Sequence, residues 1–356
     1  MADGAGARGS SRVGHRGEPA DPDSWRRSLI RGAVLLFGTL VIATAFIAAY
    51  AGALHQPTPK DVPVAVVRSD QPARTLLAAV RERDRALKPV EYADRAAADD
   101  ALAGRDVYAV LASSSTGGKP GLTLVTASAA GPAAIQVITQ MVQVAAERGQ
   151  APLTVSDSVP IAPTDPRGLV PFYLAVGLVL GGYLGSTVLG IRVGTTPRTF
   201  ARAGARVGGL ALHSGLLGLA GALVTGPGLD VWHTRFASLV GACALVAFAA
   251  SMAAAAAQGW LGLLGTGLII LLLVVLGNPG SGGIAAPEFL PDFFRDMHLW
   301  NIPGLGTDLV KAVVYFGPDA TAQPALTLAL WSVAGLLLLL AATAIRGRGI
   351  RPWRRR

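Results

Sequence analysis

A single cysteine, Cys243, excludes an internal disulfide framework, and its place inside an apolar stretch makes one unnecessary. Histidine is scarce too. His15, His55, His213, His233 and His298 are scattered, with no HExxH and no paired spacing of the kind that holds zinc. Gly118-Lys119-Pro120 breaks the G-K-[ST] requirement of a P-loop, which removes ATP hydrolysis by that route. Charge is low, at 15% of residues, against roughly a quarter in soluble domains. Six long apolar stretches contain no aspartate, glutamate, lysine or arginine at all, so the carboxylate relays of ion-coupled pumps are excluded there. Nor do they hold a serine/histidine, paired-aspartate or zinc set for an intramembrane enzyme. No catalytic residue, metal ligand or cofactor is expected.

Apolar residues fill the chain instead, at 51% of the total, gathered in blocks. A hydrocarbon core roughly 30 Å thick is crossed by a helix of about 20 residues rising about 1.5 Å each. Gly32 to Ala53, Leu169 to Ile191, Val207 to Thr225, Phe236 to Ala257, Leu261 to Gly277 and Pro324 to Ile345 meet this pattern. The fifth is the shortest and is glycine-rich. The fold class implied is an α-helical integral membrane protein with six transmembrane helices, one before and five after an α/β extracytoplasmic domain at 54–168. The five-helix membrane domain covers 169–345.

Charge placement sets the expected orientation. Segments 1–31, 192–206 and 346–356 hold sixteen of the 31 basic residues, with Asp3, Glu18, Asp21 and Asp23 as their only acids. Segment 54–168 is balanced, with twelve basic and twelve acidic residues, and 278–323 is acidic. Arg192, Arg198, Arg202 and Arg206 fill one short loop, where the positive-inside bias is strongest. Both termini are therefore expected in the cytoplasm of a multi-pass plasma-membrane protein. The pI of 10.3 reflects these flanks, whose partner is the lipid bilayer and its anionic headgroups rather than nucleic acid. Ala51-Gly52-Ala53 has the form of a signal-peptidase site. The apolar stretch before it nevertheless exceeds the roughly 7–15 residues of a signal core, so it is read as a retained span. Residues 1–24, rich in Gly, Ala, Ser, Arg and Asp, read as a disordered tail.

Within 54–168, Val62–Val67 predicts a buried strand, Pro72–Leu87 a helix, Val90–Tyr92 an extended piece and Arg95–Ala103 a helix ended by Gly104. Strands are expected at Val107–Ala112 and Leu122–Ala127, separated by a Ser/Thr/Gly linker at 113–121. Gly131-Pro132 opens a helix carrying Ile135, Ile138, Met141, Val142 and Ala145 at helical spacing. About 115 residues suffice for one small α/β core.

Two further segments are unusual. DSVPIAPTDPRGLVPF, at 157–172, brings four prolines and the turn Asp165-Pro166-Arg167-Gly168 to the start of the second span. After the fifth span, Asn278-Pro279-Gly280-Ser281-Gly282-Gly283 forbids a continuing helix and is the candidate functional loop. PEFLPDFFRDMHLW then places Phe289, Leu290, Phe293, Phe294, Met297 and Trp300 on a broad apolar face suited to a helix in the headgroup region. A short helix is expected over Asp308–Phe316, with Thr307 as N-cap and Gly317 at its C-terminal cap.

VPIAPTDPRGLVPFYLAVGLVLGGYL at 159–184 and NPGSGG with the following PEFLPDFFR at 278–295 resemble the bacterial YhgE/Pip-like proteins of the ABC-2-type permease superfamily. So does the layout of one span, an outer domain and five more spans. The resemblance implies a bacterial membrane component of an export or cell-envelope system. It equally allows a non-transporting scaffold or receptor, secretion-linked or phage-receptor-like, acting through its outer domain. It supplies no catalytic residues. Members of the wider superfamily work beside a separate ATPase. Here the matching inner loop, 192–206, is short, wholly basic and free of acids, which counts against that partner.

Small residues recur every fourth position at Gly177, Gly181 and Gly185, and again at Ser214, Gly218 and Ala222. Such stripes let helices approach closely, either within the subunit or in a homodimer. His213 is the one span residue besides Cys243 that can ionise, and it reads as an interhelical hydrogen-bonding group.

Overall fold

The computed structural model describes residues 22–116 and 119–347. Most of the two basic tails and the tip at 117–118 lie outside the described residues. The chain divides into two compact units, Met1–Ala45 and Phe46–Arg356. In the first, the described residues belong to one long apolar helix, α1 (Pro22–Leu54), which runs on into the second.

The second unit begins with an α/β lobe. β1 (Val62–Val67) is buried at five of its six positions. A strand buried on both faces belongs in the middle of a sheet. It pairs in parallel with β2 (Leu87–Tyr92) on one side and with β3 (Ala109–Thr116) on the other. β4 (Lys119–Thr126) returns antiparallel to β3, and β5 (Leu153–Asp157) pairs in parallel with β4, giving the order β2-β1-β3-β4-β5. The chain leaves β1 in one direction through α2 (Gln71–Arg83) and comes back past it through α3 (Arg95–Ala103). Right-handed crossovers in opposite directions put their helices on opposite faces. α4 (Pro132–Arg148) joins α2 on its face.

The linker expected at 113–121 is instead the hairpin itself, paired from Ala109↔Thr126 down to Thr116↔Lys119. Ser113 is held in β3 because its N–H and hydroxyl both donate to Asp70, at 2.5 and 2.6 Å.

The remaining chain is helical. α5 (Val170–Val193), α6 (Phe200–Leu223), α7 (Phe236–Leu261) and α11 (Pro318–Arg346) are long and apolar, and with α1 they make five helices able by length and composition to cross a membrane. α7 is the centre. Fifteen of its residues are buried, most of them alanine. Neighbouring helices reach it through glycines: a β-carbon on Gly218 of α6 would lie 2.6 Å from Ala244 N, and one on Gly335 of α11 would lie 2.7 Å from Met252 O. Such close approaches bring many atoms into dispersion contact, and these small attractions add up along the helices.

The fifth apolar stretch differs from the other five. A turn at Gly262, whose φ is +63°, starts α8 (Leu263–Ile269), which continues as π-helix to Leu276. This element covers only Leu263–Leu276. α9 (Asp292–His298) and α10 (Ile302–Tyr315) follow it. α10 starts six residues earlier than the sequence suggests. Asn301, not Thr307, caps it, its Oδ1 accepting from Gly304 N at 2.6 Å. Thr307 is buried inside the helix, bonded to Pro303 O. Gly317 is the N-cap of α11 rather than a C-terminal cap.

Candidate functional site

The two segments singled out in the sequence meet. Asn278 and the 3-10 turn Pro279–Ser281 are buried, and Gly282 follows in the left-handed region at φ +68°. A β-carbon on Gly282 would sit 2.9 Å from His298 Cε1, and one on Gly283 would overlap the ring of Phe172, in the VPFY start of α5. Gly280 O accepts from Asn301 Nδ2 at 3.1 Å and faces His298 Nδ1 at 3.3 Å. The loop is thus a close-packed wedge between α5, α9 and α10. At the other segment, Asp165 is buried, and its carboxylate accepts from Leu169 N and Val170 N at 3.0 and 2.9 Å, capping α5. Pro166 and Arg167 are exposed, and Gly168, with φ +62°, lies against Pro132 of α4.

The apolar face expected after Pro287 is split. Phe289, Leu290, Phe294 and Met297 are buried in the protein, whereas Phe293 and Trp300 are exposed. α9 therefore packs one side inward instead of presenting one broad face.

A charged cluster joins the lobe to the helical hairpin formed by α9 and α10. α10 carries Asp308 and Lys311 on one side of an otherwise apolar helix, three residues apart and so one turn from each other. α9 contributes His298. The lobe contributes Arg105, in a left-handed turn (φ +68°) after α3, and Tyr108. Arg105 donates to Asp308 Oδ1 at 2.7 Å and to the Asp308 carbonyl at 3.1 Å, with its guanidinium over the Phe316 ring at 5.6 Å. His298 Nε2 lies 2.9 Å from Asp308 Oδ2. Both ring nitrogens face acceptors, which fits the doubly protonated imidazolium. Tyr108 donates to Glu288 Oε2 at 2.8 Å, and Lys311 Nζ donates to Ala130 O at 3.3 Å. These groups line a cavity of about 380 Å³ with Arg295 and Asp296.

Burial and charge oppose each other here. Burial disfavours the Asp308 carboxylate, yet Arg105 and His298 hold it well below the usual carboxylate range. Burial disfavours charged His298, yet Asp308 raises its pKa. Among the described residues Lys311 has no carboxylate within bonding distance, so burial, with Arg105 adding to it, brings its ammonium down to about 8. Burial and Glu288 push the Tyr108 phenol well up. Asp308 therefore bonds one group from each side, Arg105 of the lobe and His298 of the hairpin, and locks them together.

The packing stripes sit as follows. Gly181 and Gly185 face Leu217 and His213 of α6, while Gly177 has open space beside it. His213 Nε2 lies 3.1 Å from Gly181 O, an α6-to-α5 bond. Gly218 and Ser214 face α7.

At the end of the bundle away from the lobe, Arg206 is not a headgroup-facing loop residue. It is 2% exposed and donates to Gln258 Oε1 at 2.5 Å, Ser186 Oγ at 3.3 Å and Thr195 O at 2.6 Å. It ties the turn between α5 and α6 to α7.

Sequence reasoning gave no functional role to Arg105, Tyr108, Glu288, Asp308 or Lys311. The available signal was a pair of opposite charges one turn apart inside the apolar run IPGLGTDLVKAVVYF. Compared with known proteins, the chain matches no family model and no curated protein.

Proposed function

We propose that this chain is the membrane component of a bacterial export or cell-envelope system, of the ABC-2-type permease kind. In this reading it has six spans, both termini in the cytoplasm, and the α/β lobe outside. The observation that carries the reading is the Arg105–Asp308–His298 lock. A folded domain fastened by buried charges to a hairpin wedged among the helices transmits force or position between them. A tethered domain would not. The fifth span is then the short Leu263–Leu276 element, and the irregular backbone of Asn278–Gly283 is tolerated at membrane depth because protein covers it. Arg192, Arg198, Arg202, Arg206 and Arg346 gather at the end opposite the lobe, as the positive-inside rule requires of a cytoplasmic side. The hairpin Asn278–Gly317 caps the outer end of the path. An ATPase partner, if engaged, would meet the short basic turn that Arg206 braces.

A second reading, a non-transporting scaffold or receptor working through the lobe, is favoured by one feature: the lobe carries a groove of about 790 Å³ on the α2/α4 face. Gly282→Val with Gly283→Val separates the two readings. In cells where deleting the gene changes the envelope or the secreted fraction, the gating role predicts loss of complementation at normal abundance in the membrane. Full complementation by this variant would remove the gating role and leave the scaffold.

A further inference from the structure

Two strong bases are buried among the described residues, Arg206 at 2% exposed and Lys311 at 4%. Taking a charge out of water is costly unless acceptors and a counter-charge replace the water. Arg206 has acceptors in Gln258 Oε1, Ser186 O and Oγ, Gly194 O and Thr195 O. Lys311 is less well served. Its ammonium carries three hydrogens, and its one hydrogen bond among the described residues is the 3.3 Å donation to Ala130 O. The charges around it are already engaged. Arg105 and His298 share Asp308, at 2.7 and 2.9 Å. Glu288 accepts from Tyr108 and forms no ion pair among the described residues. Arg295 is matched by Asp292, outside the cavity, at 2.6 Å, and Asp296 is exposed. That leaves three cations, Arg105, His298 and Lys311, against two carboxylates, Asp308 and Glu288.

All five groups line one cavity of about 380 Å³, between the lobe on one side and α9 and α10 on the other. This lies at the lower end of small-molecule sites, roughly 300–1,000 Å³, which form preferentially at such boundaries. Asp296 and Leu299, which also line it, are exposed, so the cavity opens to the surface. Its unmet groups are donors. Besides the hydrogens of Lys311, Arg105 Nε is buried with no acceptor. Arg105 grips Asp308, one turn of α10 from Lys311, so the guanidinium and the ammonium are neighbours. A carboxylate on Lys311 would bring the missing counter-charge and cancel the one excess cation. A dianion would be repelled by Asp308 and Glu288, an unfavourable contact that discriminates against it. An ion the size of chloride would leave most of the volume unfilled. The apolar parts of the wall, Ala130, Pro287 and Leu299, suit a short carbon skeleton.

We propose that this cavity binds a small organic monocarboxylate, with its carboxylate on Lys311 and its carbon skeleton against Pro287 and Leu299. The site shares its residues with the export reading but not its premise: binding is measured without transport, so either can fail alone. The chain has four lysines, Lys60, Lys88, Lys119 and Lys311. Carbon-13 at lysine Cε in the full chain, purified in nonionic micelles, therefore gives few NMR signals, and Lys311→Met identifies one of them. Lys311 titrates at about 8 without ligand. Sodium lactate or acetate should raise that value by about one unit or more, a tenfold preference for the charged amine. Sodium sulfate and sodium chloride at equal ionic strength should leave it in place. The carboxylates should also raise the melting midpoint of the wild type but not that of Lys311→Met, whose buried Cys243 thiol reports that it is folded. Glu288→Gln keeps an acceptor for Tyr108 and removes a negative charge, so it should tighten lactate binding severalfold. No movement of Lys311 with either carboxylate would overturn the proposal. So would an equal response to sulfate or chloride, which would make the cluster sensitive to ionic strength alone. Loss of lactate binding in Glu288→Gln would overturn it too, since a cation or zwitterion would then be what the cavity holds.

Discussion

If Asp308 locks the lobe to the hairpin, its removal should cost far more than a surface ion pair, and removing Arg105 as well should recover much of the loss. The side chains are 16% and 24% exposed and 2.7 Å apart at their nearest atoms. For unit charges separated by about 4 Å at an effective dielectric of about 20, attraction is about 4 kcal/mol. Desolvation offsets part of this, so the net value of the pair is small, but breaking it strands a buried charge at about 3–5 kcal/mol. Asp308→Asn leaves Arg105 and His298 without a counter-charge and should destabilise by about 3 kcal/mol. Arg105→Met should cost less, because His298 still neutralises Asp308 at 2.9 Å. Arg105→Met with Asp308→Asn should be more stable than Asp308→Asn alone, with a coupling of about 2 kcal/mol or more. Cys243 supplies the assay, being fully buried and the only thiol in the chain. A thiol-reactive dye reports unfolding as it becomes accessible on heating. At about 2–4 °C per kcal/mol for chains of 150–250 residues, Asp308→Asn should lower the midpoint by about 5 °C or more. Strictly additive losses in the double variant would mean the two residues do not act on each other.

Lys311 and His298 should give opposite pH signatures. The folded Lys311 loses its proton at about 8 against 10.5 when free, so between those values the unfolded chain binds the extra proton and stability rises with pH. The gap amounts to about 3 kcal/mol at 1.36 kcal/mol per unit. Lys311→Met should erase that rise and stabilise the protein at pH 7, and a flat wild-type profile over this window would contradict it. His298 has a raised folded pKa. Its contribution is full below 6.5 and is lost as pH rises through the folded value, and His298→Gln should remove that fall in a melting series. Phe293→Ala, at a ring 60% exposed, should leave complementation intact where the Gly282→Val/Gly283→Val variant loses it.

Much of the lobe was legible because its signals are local. Val62–Val67 and Arg95–Ala103 fall where the apolar run and Gly104 place them. The 113–121 half of the hairpin was not, because Ser113, Ser114 and Ser115 read as loop, and Asp70, 43 positions away from Ser113, is what holds that strand. The start of α10 was hidden by Pro303, Gly304 and Gly306. Glycine there serves contact rather than flexibility: a β-carbon on Gly304 would meet His298, and one on Gly306 would meet Val246. The NPGSGG loop stood out by composition, but not its partner Phe172. The lock escaped altogether. Arg105 and Asp308 are 203 positions apart, and in sequence the arginine is one of many that flank helices. Apolar length showed the five long apolar helices, whereas the glycine-rich fifth stretch breaks at Gly262 and yields a shorter element.

Sidedness is the claim on which the rest stands. Single cysteines at Ser115, exposed on β3, and at Ala201, exposed at the start of α6, place the two ends of the molecule. In a Cys243→Ser background, an impermeant maleimide applied to intact cells should label the cysteine at 115 fully. The cysteine at 201 should react only after lysis. Labelling at 201 in sealed cells, or protection at 115, would contradict an outer lobe and a cytoplasmic arginine-rich face.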